Sequence, residues 1–247
     1  MGSKRERLDK LLVVRGLVGS RDRAQRLILA GSVVVGGHRV DKPGTAVLAD
    51  AAIEIRGEDI PYVSRGGLKL AAALDHWQID VRDRTGLDVG ASTGGFTDCL
   101  LQRGAREVIA VDVGYGQLAW KLRQDPRVTL RERVNVRHLD PAELPYRAEI
   151  AVADVSFISL ELVLPAIVAC VAAGGIILPM VKPQFEVGKG EVGKGGVVRD
   201  EGLRQSAADR IARVAAGIGL HYHGRFESPL PGPKGNLEIF LYLQRPK

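Results

Sequence analysis

The feature that most restricts the possible folds of this chain is a regular alternation of strand-like and helix-like segments from about Tyr62 onward. Short apolar runs alternate with segments whose apolar residues recur at helical spacing, which is the pattern of a doubly wound α/β sheet. Two strands near the C-terminus have no helix between them, which predicts an antiparallel hairpin at one edge of that sheet. Strands are predicted at residues 85–90, 107–112, 128–132, 150–154 and 176–181 and on both sides of the turn 228–235, and helices at residues 95–103, 117–124, 159–171 and 200–217.

Residues 162–181 form a run of twenty residues without a charge, which is long enough for a membrane helix. Pro165, the pair Gly174-Gly175 and Pro179 interrupt the run, whereas a spanning segment must satisfy its backbone groups as one continuous helix. The run is therefore predicted to be a helix that ends at Gly174-Gly175, followed by a short buried strand. The chain has only two cysteines and no apolar signal segment at its start, which predicts a cytoplasmic protein.

A glycine-rich turn, LDVGASTGGF, follows the first predicted strand. Glycines at such a turn let the backbone approach a nucleoside-type ligand closely, and Asp112 ends the next strand, where a carboxylate can accept hydrogen bonds from a ribose diol. The dinucleotide fingerprint G-x-G-x-x-G is absent. The turn instead resembles the methyltransferase loop E/D-x-G-x-G-x-G, with Ser92 where the middle glycine usually stands. The resemblance implies S-adenosylmethionine as cofactor, with candidate binding residues Asp88, Gly90, Ala91, Ser92, Gly94, Phe96, Asp112 and Asn135.

The formal net charge of +6 is uneven, because residues 1–31 hold eight Lys and Arg residues against three acidic ones. Apolar spacing there predicts two short helices, the second capped by Ser20, and then a strand, a turn at Gly36-Gly37 and another strand. The segment RLDKLLVVRGLVGSRDRAQRLILAGSVVVGGHRV resembles the small RNA-binding fold of the S-four type. The predicted domains are residues 1–59, a linker at 60–67 and residues 68–247. Candidate RNA-contacting residues are Arg5, Arg7, Arg21, Arg23, Arg26 and, in the linker, Arg65, which is also predicted to couple RNA engagement to donor binding.

Several reaction classes lack the residues that they require. Amino-nitrogen methylation uses a D/N-P-P-Y/F motif, where this chain has Asp154-Val-Ser-Phe157, and carbon-five methylation needs a Pro-Cys nucleophile that is absent. The stretch 188–195 matches the phosphate loop of nucleoside triphosphatases except for its final hydroxyl residue, which excludes that function. The same Gly/Lys stretch remains open as a mobile lid, an RNA-contacting loop or a flexible connection. Metal chemistry is not indicated, since only His221 and His223 share a strand face.

Four ionisable residues stand where charge is costly or where strands end. Lys69 interrupts an apolar helix, Asp154 and Lys182 end predicted strands, and Glu238 interrupts the last strand. Because the carboxyl ends of parallel strands meet at one crevice, Asp154 and Lys182 are predicted to lie near the methyl donor. Glu238 reaches the same edge only if the last strand runs antiparallel.

The segments GASTGGF, VDVGYGQLAW, ADVSFISL, VKPQFEVGKG, SPLPGPKGNLE and YVSRGGLKL resemble the TlyA family, also called haemolysin A. Members of that family resemble FtsJ-type ribose methyltransferases preceded by an S-four domain. The resemblance implies a Rossmann-like class I methyltransferase sheet behind a small α+β domain, and S-adenosylmethionine-dependent 2′-O-methylation of cytidine in ribosomal RNA, within ribosomal subunits and with no obligate protein partner. It also implies that Lys69, Asp154, Lys182 and Glu238 form the catalytic K-D-K-E tetrad.

A lysine can take the proton of a ribose hydroxyl only if its pKa is lowered towards neutrality. Lys182 is predicted to take or steer that proton, and Lys69 to lower the pKa of Lys182 and help bind the acceptor. Asp154 is predicted to orient Lys182, and Glu238 to position Lys69 or the ribose. Two alternatives are kept: a membrane-active haemolysin, and an RNA-binding protein whose methyltransferase fold is inactive.

Overall fold

The computed structural model describes residues 5–29, 31–56, 60–232 and 234–247, without the side chains of Asp22, Arg26 and Lys189. The chain forms two compact units, Met1–Ser64 and Arg65–Lys247. The second unit begins two residues before the predicted end of the linker, because helix α3 (Gly66–His76) starts there. Each unit encloses its own apolar core.

In its described residues, the N-terminal unit consists of two helices and two small antiparallel sheets. Helices α1 and α2 contact each other, and their apolar faces, which include Leu8, Leu12 and Ile28, are buried. Ser20 Oγ accepts a hydrogen bond from the backbone N–H of Arg23 at 3.2 Å and so caps α2. The two helices and the Gly36-Gly37 hairpin predicted from the sequence are confirmed. The elements are β1 (Arg5–Arg7), α1 (Leu8–Val14), α2 (Arg21–Leu29), β2 (Val33–Val35), β3 (His38–Val40), β4 (Ala46–Leu48) and β5 (Ile53–Ile55).

The C-terminal unit is built on a seven-stranded sheet. Its strands are β6 (Thr85–Val89), β7 (Glu107–Val111), β8 (Val128–Arg131), β9 (Ala148–Ala153), β10 (Val171–Val181), β11 (His221–Glu227) and β12 (Ile239–Gln244). They are arranged in the order β11-β12-β10-β9-β6-β7-β8. Strands β6 to β10 are parallel, whereas β12 pairs antiparallel with both β10 and β11. The mostly parallel α/β sheet and its antiparallel terminal hairpin are therefore confirmed.

Helices cover the sheet and bury its strands: all five residues of β6 are buried, and β9 is a mainly apolar and buried run. The longest helix is capped by Asp200, whose Oδ1 accepts a hydrogen bond from the backbone N–H of Leu203 at 2.8 Å. The helices are α3 (Gly66–His76), α4 (Gly95–Gln102), α5 (Trp120–Arg123), α6 (Leu164–Ala169), α7 (Pro183–Glu186) and α8 (Glu201–Gly217), and 3-10 turns occur at Val136–His138, Pro141–Glu143, Leu160–Leu162 and Lys189–Glu191. None of the helices in the described residues combines the length and apolar character that a bilayer crossing requires.

Two predicted helices are shorter than expected. The helix predicted at residues 117–124 is reduced to α5, because carboxylates hold the preceding residues in turns: Gly114 N–H donates to Asp112 and Gly116 N–H to Glu132, at 2.6 and 2.7 Å. The helix predicted at residues 159–171 is divided into a 3-10 turn and α6. Glu186, distant in sequence, accepts the backbone N–H of Leu160 at 2.8 Å and fixes that turn.

The predicted helix end at Gly174-Gly175 is wrong. Strand β10 already begins at Val171, and the two glycines form an irregularity inside it, where the pairing with β9 shifts between Val171 and Ile176. Gly174 has a φ of +76°, and its N–H bonds to the carbonyl of Arg245 at 3.0 Å. The glycine pair therefore produces a bulge rather than a boundary between elements.

Candidate active site at the carboxyl edge of the sheet

A cavity of about 500 Å³ lies where the parallel strands β6, β7 and β9 end. Its volume is within the range of small-molecule and cofactor sites. In an open α/β sheet this edge is where ligands bind, because the loops that follow neighbouring strands converge there. The cavity is lined by Val89, Gly90, Ser92, Val111, Asp112, Val113, Gln117, Val134, Asn135, Val136, Asp154, Val155, Ser156, Phe157 and Ile158.

The glycine-rich turn takes a backbone path that few other residues permit. Gly90 and Gly94 have φ values of +82° and +96°. A Cβ atom on Gly90 would lie 2.5 Å from the backbone oxygen of Asp154, so only glycine fits between the ends of β6 and β9. Ser92 also has a positive φ, of +48°, which explains why a glycine usually occupies this position.

Asp112 stabilises this turn from the end of β7. Its Oδ2 accepts a hydrogen bond from the backbone N–H of Ser92 at 2.7 Å, and its Oδ1 accepts one from Gly114 at 2.6 Å. A carboxylate oxygen can accept two hydrogen bonds, so each oxygen of Asp112, which lines the cavity, retains a second acceptor site. Asp112 can therefore hold the loop and accept hydrogen bonds from a ligand at the same time.

Four of the predicted cofactor residues are not among those that line this cavity. Asp88 is fully buried and accepts hydrogen bonds from the backbone N–H and the hydroxyl of Thr97, at 2.8 and 2.7 Å. The ring of Phe96 is buried 5.9 Å from that of Phe240. Ala91 is buried, and Gly94 lies against the side chains of α5 and of the turn before it. These four residues shape the loop, whereas Gly90, Ser92, Asp112 and Asn135 border the cavity.

Lys182 and Asp154 form an ion pair at the ends of β10 and β9. Lys182 Nζ lies 2.6 Å from Asp154 Oδ1, and it donates a hydrogen bond to Ser156 Oγ at 2.8 Å. The contact with Asp154 lacks the directionality of a hydrogen bond, so Ser156 fixes the direction of the ammonium group. Asp154 and Ser156 line the cavity, and the ammonium group therefore lies beside it.

Lys69 and Glu238 form a second ion pair, which is buried. Lys69 belongs to α3, and Glu238 immediately precedes β12. Val181 of β10 pairs with Ile239 of β12, so the next residues along the two strands, Lys182 and Glu238, are neighbours at the same sheet edge. The antiparallel direction of β12 thus brings the four predicted tetrad residues together as two lysine–carboxylate pairs.

Two residues at this edge, Ser156 and Phe157, were not predicted from the sequence as site residues. Ser156 binds the ammonium of Lys182, and Phe157 is 90% exposed, with a positive φ of +64° that is unusual for an aromatic residue. The ring of Phe157 lies 5.2 Å from that of Phe185. The sequence did contain a signal for Phe157, because an aromatic residue stands at the fourth position of Asp154-Val-Ser-Phe157. That stretch was compared only with the motif of amino-nitrogen methylation.

Residues 62–245 match the family of FtsJ-like methyltransferases, and residues 6–53 match the S4 domain. The chain is 52% identical over 243 residues to a protein of Mycobacterium tuberculosis named 16S/23S rRNA (cytidine-2′-O)-methyltransferase TlyA, covering 98% of this chain and 91% of that protein. It is 47% identical to the putative rRNA methyltransferase YqxC of Bacillus subtilis, over 100% and 88% of the two chains.

The chain belongs to the TlyA family of FtsJ-like methyltransferases. The family resemblance seen in the sequence is thus confirmed. A solved structure of a putative hemolysin from Streptococcus thermophilus is 41% identical and superposes with a TM-score of 0.78, covering all of this chain and 90% of that one. The fold of this chain is therefore similar to that of a solved structure over its whole length.

In the S4 domain, two arginines of the predicted RNA surface also stabilise the fold. The guanidinium of Arg7 donates two hydrogen bonds of 3.0 Å to the buried carboxylate of Asp9, and Arg21 and Gln25 donate to the same group at 2.9 and 3.0 Å. These bonds lower the pKa of Asp9, with the bond from Arg7 as the largest cause. Arg5 is exposed and Arg23 half-buried, whereas the side chain of Arg26 lies outside the described residues.

The linker arginine, the two histidines of the last hairpin and the two cysteines do not line the cavity. Arg65 is exposed and precedes the first residue of α3, the helix that carries Lys69. His223 contacts Gln244 through a hydrogen bond of 3.0 Å. Within the residues that the structure describes, no group of three potential ligands is placed to hold a metal ion. Cys99 and Cys170 are both buried, and burial raises the pKa of Cys170 to about 11.

Proposed function

We propose that this chain transfers a methyl group from S-adenosylmethionine to the 2′-hydroxyl of a cytidine in ribosomal RNA. The observation that carries the proposal is the placement of two lysine–carboxylate pairs, Lys182 with Asp154 and Lys69 with Glu238, at the sheet edge that bears the cavity. The printed name of the M. tuberculosis relative supports the choice of reaction and substrate.

The residues around the cavity fit a nucleoside-type methyl donor. Gly90 leaves space where a side chain would collide with Asp154, and Asp112 presents acceptor sites suited to a ribose diol. Asn135 lies between Val134 and Val136 in the cavity wall, where its amide can read a base edge beside apolar surface. When bound, S-adenosylmethionine supplies a methyl group that is already activated by its positively charged sulfur.

The protein has to position the acceptor and manage one proton. As the ribose oxygen forms its bond to the methyl carbon, the hydroxyl proton must leave, and Lys182 takes or steers that proton. Asp154 and Ser156 hold the ammonium group of Lys182 in place, and Glu238 holds that of Lys69. Such positioning supplies much of the rate acceleration, because both reactants are held in line.

Phe157 and the S4 domain serve the RNA acceptor in this proposal. The exposed ring of Phe157 offers a face on which the base of an unpaired nucleotide can stack next to Lys182. The S4 domain supplies cations for the phosphates of structured RNA. Ribosomal RNA, within ribosomal subunits, is thus the proposed partner, and the proposal also assigns the protein to the cytoplasm.

The decisive experiment measures methyl transfer by Lys182→Ala. Transfer from methyl-labelled S-adenosylmethionine to unmethylated ribosomal RNA should fall by roughly 10²–10⁴-fold, because the group that manages the proton is lost. Affinity for the donor, measured by calorimetry, and affinity for RNA should stay within about twofold. Blocked alkaline cleavage at a cytidine would locate the product in RNA treated with the wild-type protein.

Lys121→Ala is the matched control, since Lys121 also pairs with a carboxylate, Asp98, at 2.9 Å, but does not line the cavity. That variant should retain wild-type transfer. Turnover near the wild-type level in Lys182→Ala would refute the assignment of Lys182. A wild-type protein without affinity for S-adenosylmethionine, even with RNA present, would instead favour an inactive methyltransferase fold.

A further inference from the structure

Two segments rich in glycine and lysine are joined by one buried side chain, Asn236. Its Oδ1 accepts the backbone N–H of Val198 at 2.9 Å, and its Nδ2 donates to the backbone oxygen of Gly196 at 2.8 Å. The side chain thus ties the segment 193–198 to the segment that precedes β12. Both of its polar atoms act on backbone, so its contacts determine where two loops lie relative to each other.

The first segment presents Lys194 at the tip of a tight turn. Gly196 N–H bonds to the carbonyl of Gly193 at 3.0 Å, and Gly193 pairs with Val197 in an isolated antiparallel bridge. Gly195 has a φ of +82°, as the third residue of a type II turn requires. Lys194 is exposed, so its ammonium projects from a defined turn.

The second segment contacts Glu238 directly. A Cβ atom on Gly232 would lie 2.7 Å from Glu238 Oε1, and the backbone N–H of Ser228 donates to the carbonyl of Glu238 at 2.8 Å. The exposed Lys234 reaches back over the first segment, because a Cβ on Gly196 would be 3.8 Å from its Nζ. Lys234 therefore lies against the turn that presents Lys194, and the segment that carries Lys234 also contacts the carboxylate that holds Lys69.

The cations of this region are not neutralised by ion pairs among the described residues. Neither Lys194 nor Lys234 has a carboxylate within ion-pair distance in that part of the chain. The nearby Glu191 turns back on its own loop, where its Oε2 accepts the backbone N–H of Gly188 at 2.8 Å. Glu238 is occupied by Lys69. The region consequently favours an anion.

We propose that Lys194 and Lys234, held together by Asn236, form a lysine platform that binds RNA phosphates next to the acceptor ribose. This inference rests on the proposed function, because it identifies how the acceptor strand is held at the same site. Lysine binds phosphate as a point charge, and two such charges on fixed turns can hold a backbone without reading its bases. Asn236 is a positioning residue, since it acts only through the two loops.

The platform is tested by RNA binding at several salt concentrations, which needs no methyl transfer. The probe is ribosomal RNA transcribed in vitro, and the proteins are the full chain and its variant Lys194→Ala/Lys234→Ala. We expect the Kd for RNA to rise about tenfold and the slope of log K against log salt to become shallower by about 0.7 for each lost contact. The Kd for S-adenosylmethionine should not change.

Lys247→Ala provides the control for loss of a lysine, because Lys247 is exposed beside Gly174, in the amino-terminal part of β10. It should leave the Kd and the slope as they are in the wild type. Lys194→Arg/Lys234→Arg should restore most of the affinity, since the charges return. An unchanged slope in the double alanine variant would overturn the platform.

The variant Asn236→Ala tests whether Asn236 positions the two lysines or only stabilises the folded protein. We expect weaker RNA binding in this variant, but little further loss when it is combined with Lys194→Ala/Lys234→Ala, because the lysines are then no longer present to be positioned. Fully additive effects would overturn the role of Asn236. If the wild-type protein binds RNA with the expected salt dependence and transfers no methyl group, the proposed function fails while the platform stands.

Discussion

At the scale of single residues, Asp88 is the group whose ionisation is most altered by folding. It is fully buried at the end of β6, and desolvation raises the pKa of its carboxyl to about 7 despite two hydrogen bonds from Thr97. The nearby carboxylates of Asp154 and Asp112 contribute further to the raised pKa. Its Oδ1 accepts no hydrogen bond, so this oxygen lacks the donors that would stabilise an ionised carboxylate in the core.

This raised pKa makes the stability of the C-terminal unit depend on pH. In the folded protein Asp88 keeps its proton up to about pH 7, whereas in the unfolded chain it loses it near pH 4. The unfolded state therefore binds fewer protons between these values, so the free energy of unfolding falls as pH rises through this window. The total loss is roughly 4 kcal/mol and is complete above pH 7.

Asp88→Asn should remove this dependence, because an amide keeps an acceptor for Thr97 but does not titrate. Denaturant unfolding at pH 5 and pH 8 measures the effect as the difference between the wild type and the variant at each pH. We expect the variant to gain stability relative to the wild type as pH rises. A constant difference at the two pH values would show that Asp88 is ionised in the folded protein.

Sequence reasoning found the position of Asp88 but not its environment. The motif E/D-x-G-x-G-x-G marks the residue, and the strand pattern places it at the end of β6. Asp88 does not line the cavity because Thr97, in the first turn of α4, binds its carboxyl group within the core. A spacing pattern alone does not indicate whether a motif residue faces the ligand or the loop that holds it.

At the scale of elements, Glu186 joins the segments that follow β9 and β10. Its carboxylate is buried in α7 and accepts hydrogen bonds from Ser159 Oγ at 2.6 Å, from the backbone N–H of Leu160 at 2.8 Å and from Arg210 at 2.7 Å. The bonded residues belong to the 3-10 turn after the cavity loop and to α8. Glu186 therefore fixes residues 156–158, which line the cavity and include the partner of Lys182.

Glu186→Gln is expected to weaken this junction without unfolding the chain. The amide keeps one acceptor but loses the charge that attracts Arg210, and it leaves buried donors poorly satisfied, at a cost of roughly 1–3 kcal/mol. We expect kcat to fall several-fold and the Kd for S-adenosylmethionine to rise, since both Ser156 and the cavity wall become less ordered. Calorimetry and single-turnover transfer measure the two effects.

Glu161→Gln is the matched control, because Glu161 is exposed and lies 3.9 Å from the same Arg210. Exposed ion pairs of this kind contribute little, so this variant should behave as the wild type. Equal effects of the two substitutions would show that the charge of Arg210, rather than the buried junction, matters for activity.

The strands of the sheet were predictable because their burial on both faces requires continuous apolar runs, as in residues 107–111 and 148–153. The lengths of the short helices were not predictable in this way. The boundaries of α5 and α6 depend on Glu132 and Glu186, which accept hydrogen bonds from backbone groups 16 and 26 residues away in the sequence. Local periodicity contains no information about such contacts, so the predicted helices were too long.

At the scale of the whole molecule, the net positive charge and the cavity belong to different compact units. The first 31 residues hold most of the net positive charge, and the C-terminal unit holds the cavity and the lysine–carboxylate pairs. The sequence predicted this division through charge and alternation. It did not predict that Arg7 and Arg21 would bind Asp9, or that Arg15 would donate to backbone carbonyls at residues 49 and 51.

Asp9 consequently links the fold of the S4 domain to its proposed RNA surface. Its buried carboxylate orients Arg7 and Arg21, each of which remains about half exposed and available for phosphate. Asp9→Ala should lower the affinity for ribosomal RNA about threefold to tenfold, because two unconstrained arginines pay more side-chain entropy on binding. The Kd for S-adenosylmethionine should stay unchanged, since the cavity belongs to a separate compact unit with its own core.

Asp41→Ala controls for the loss of an acidic residue from the same unit, because Asp41 is exposed there. By removing a negative charge without disturbing the arginines, it should bind RNA at least as tightly as the wild type. Circular dichroism checks that the Asp9 variant keeps its helices. If RNA affinity remains at the wild-type level in a folded Asp9→Ala protein, Arg7 and Arg21 serve the fold alone, and the RNA surface of this domain has to be sought among its other cations.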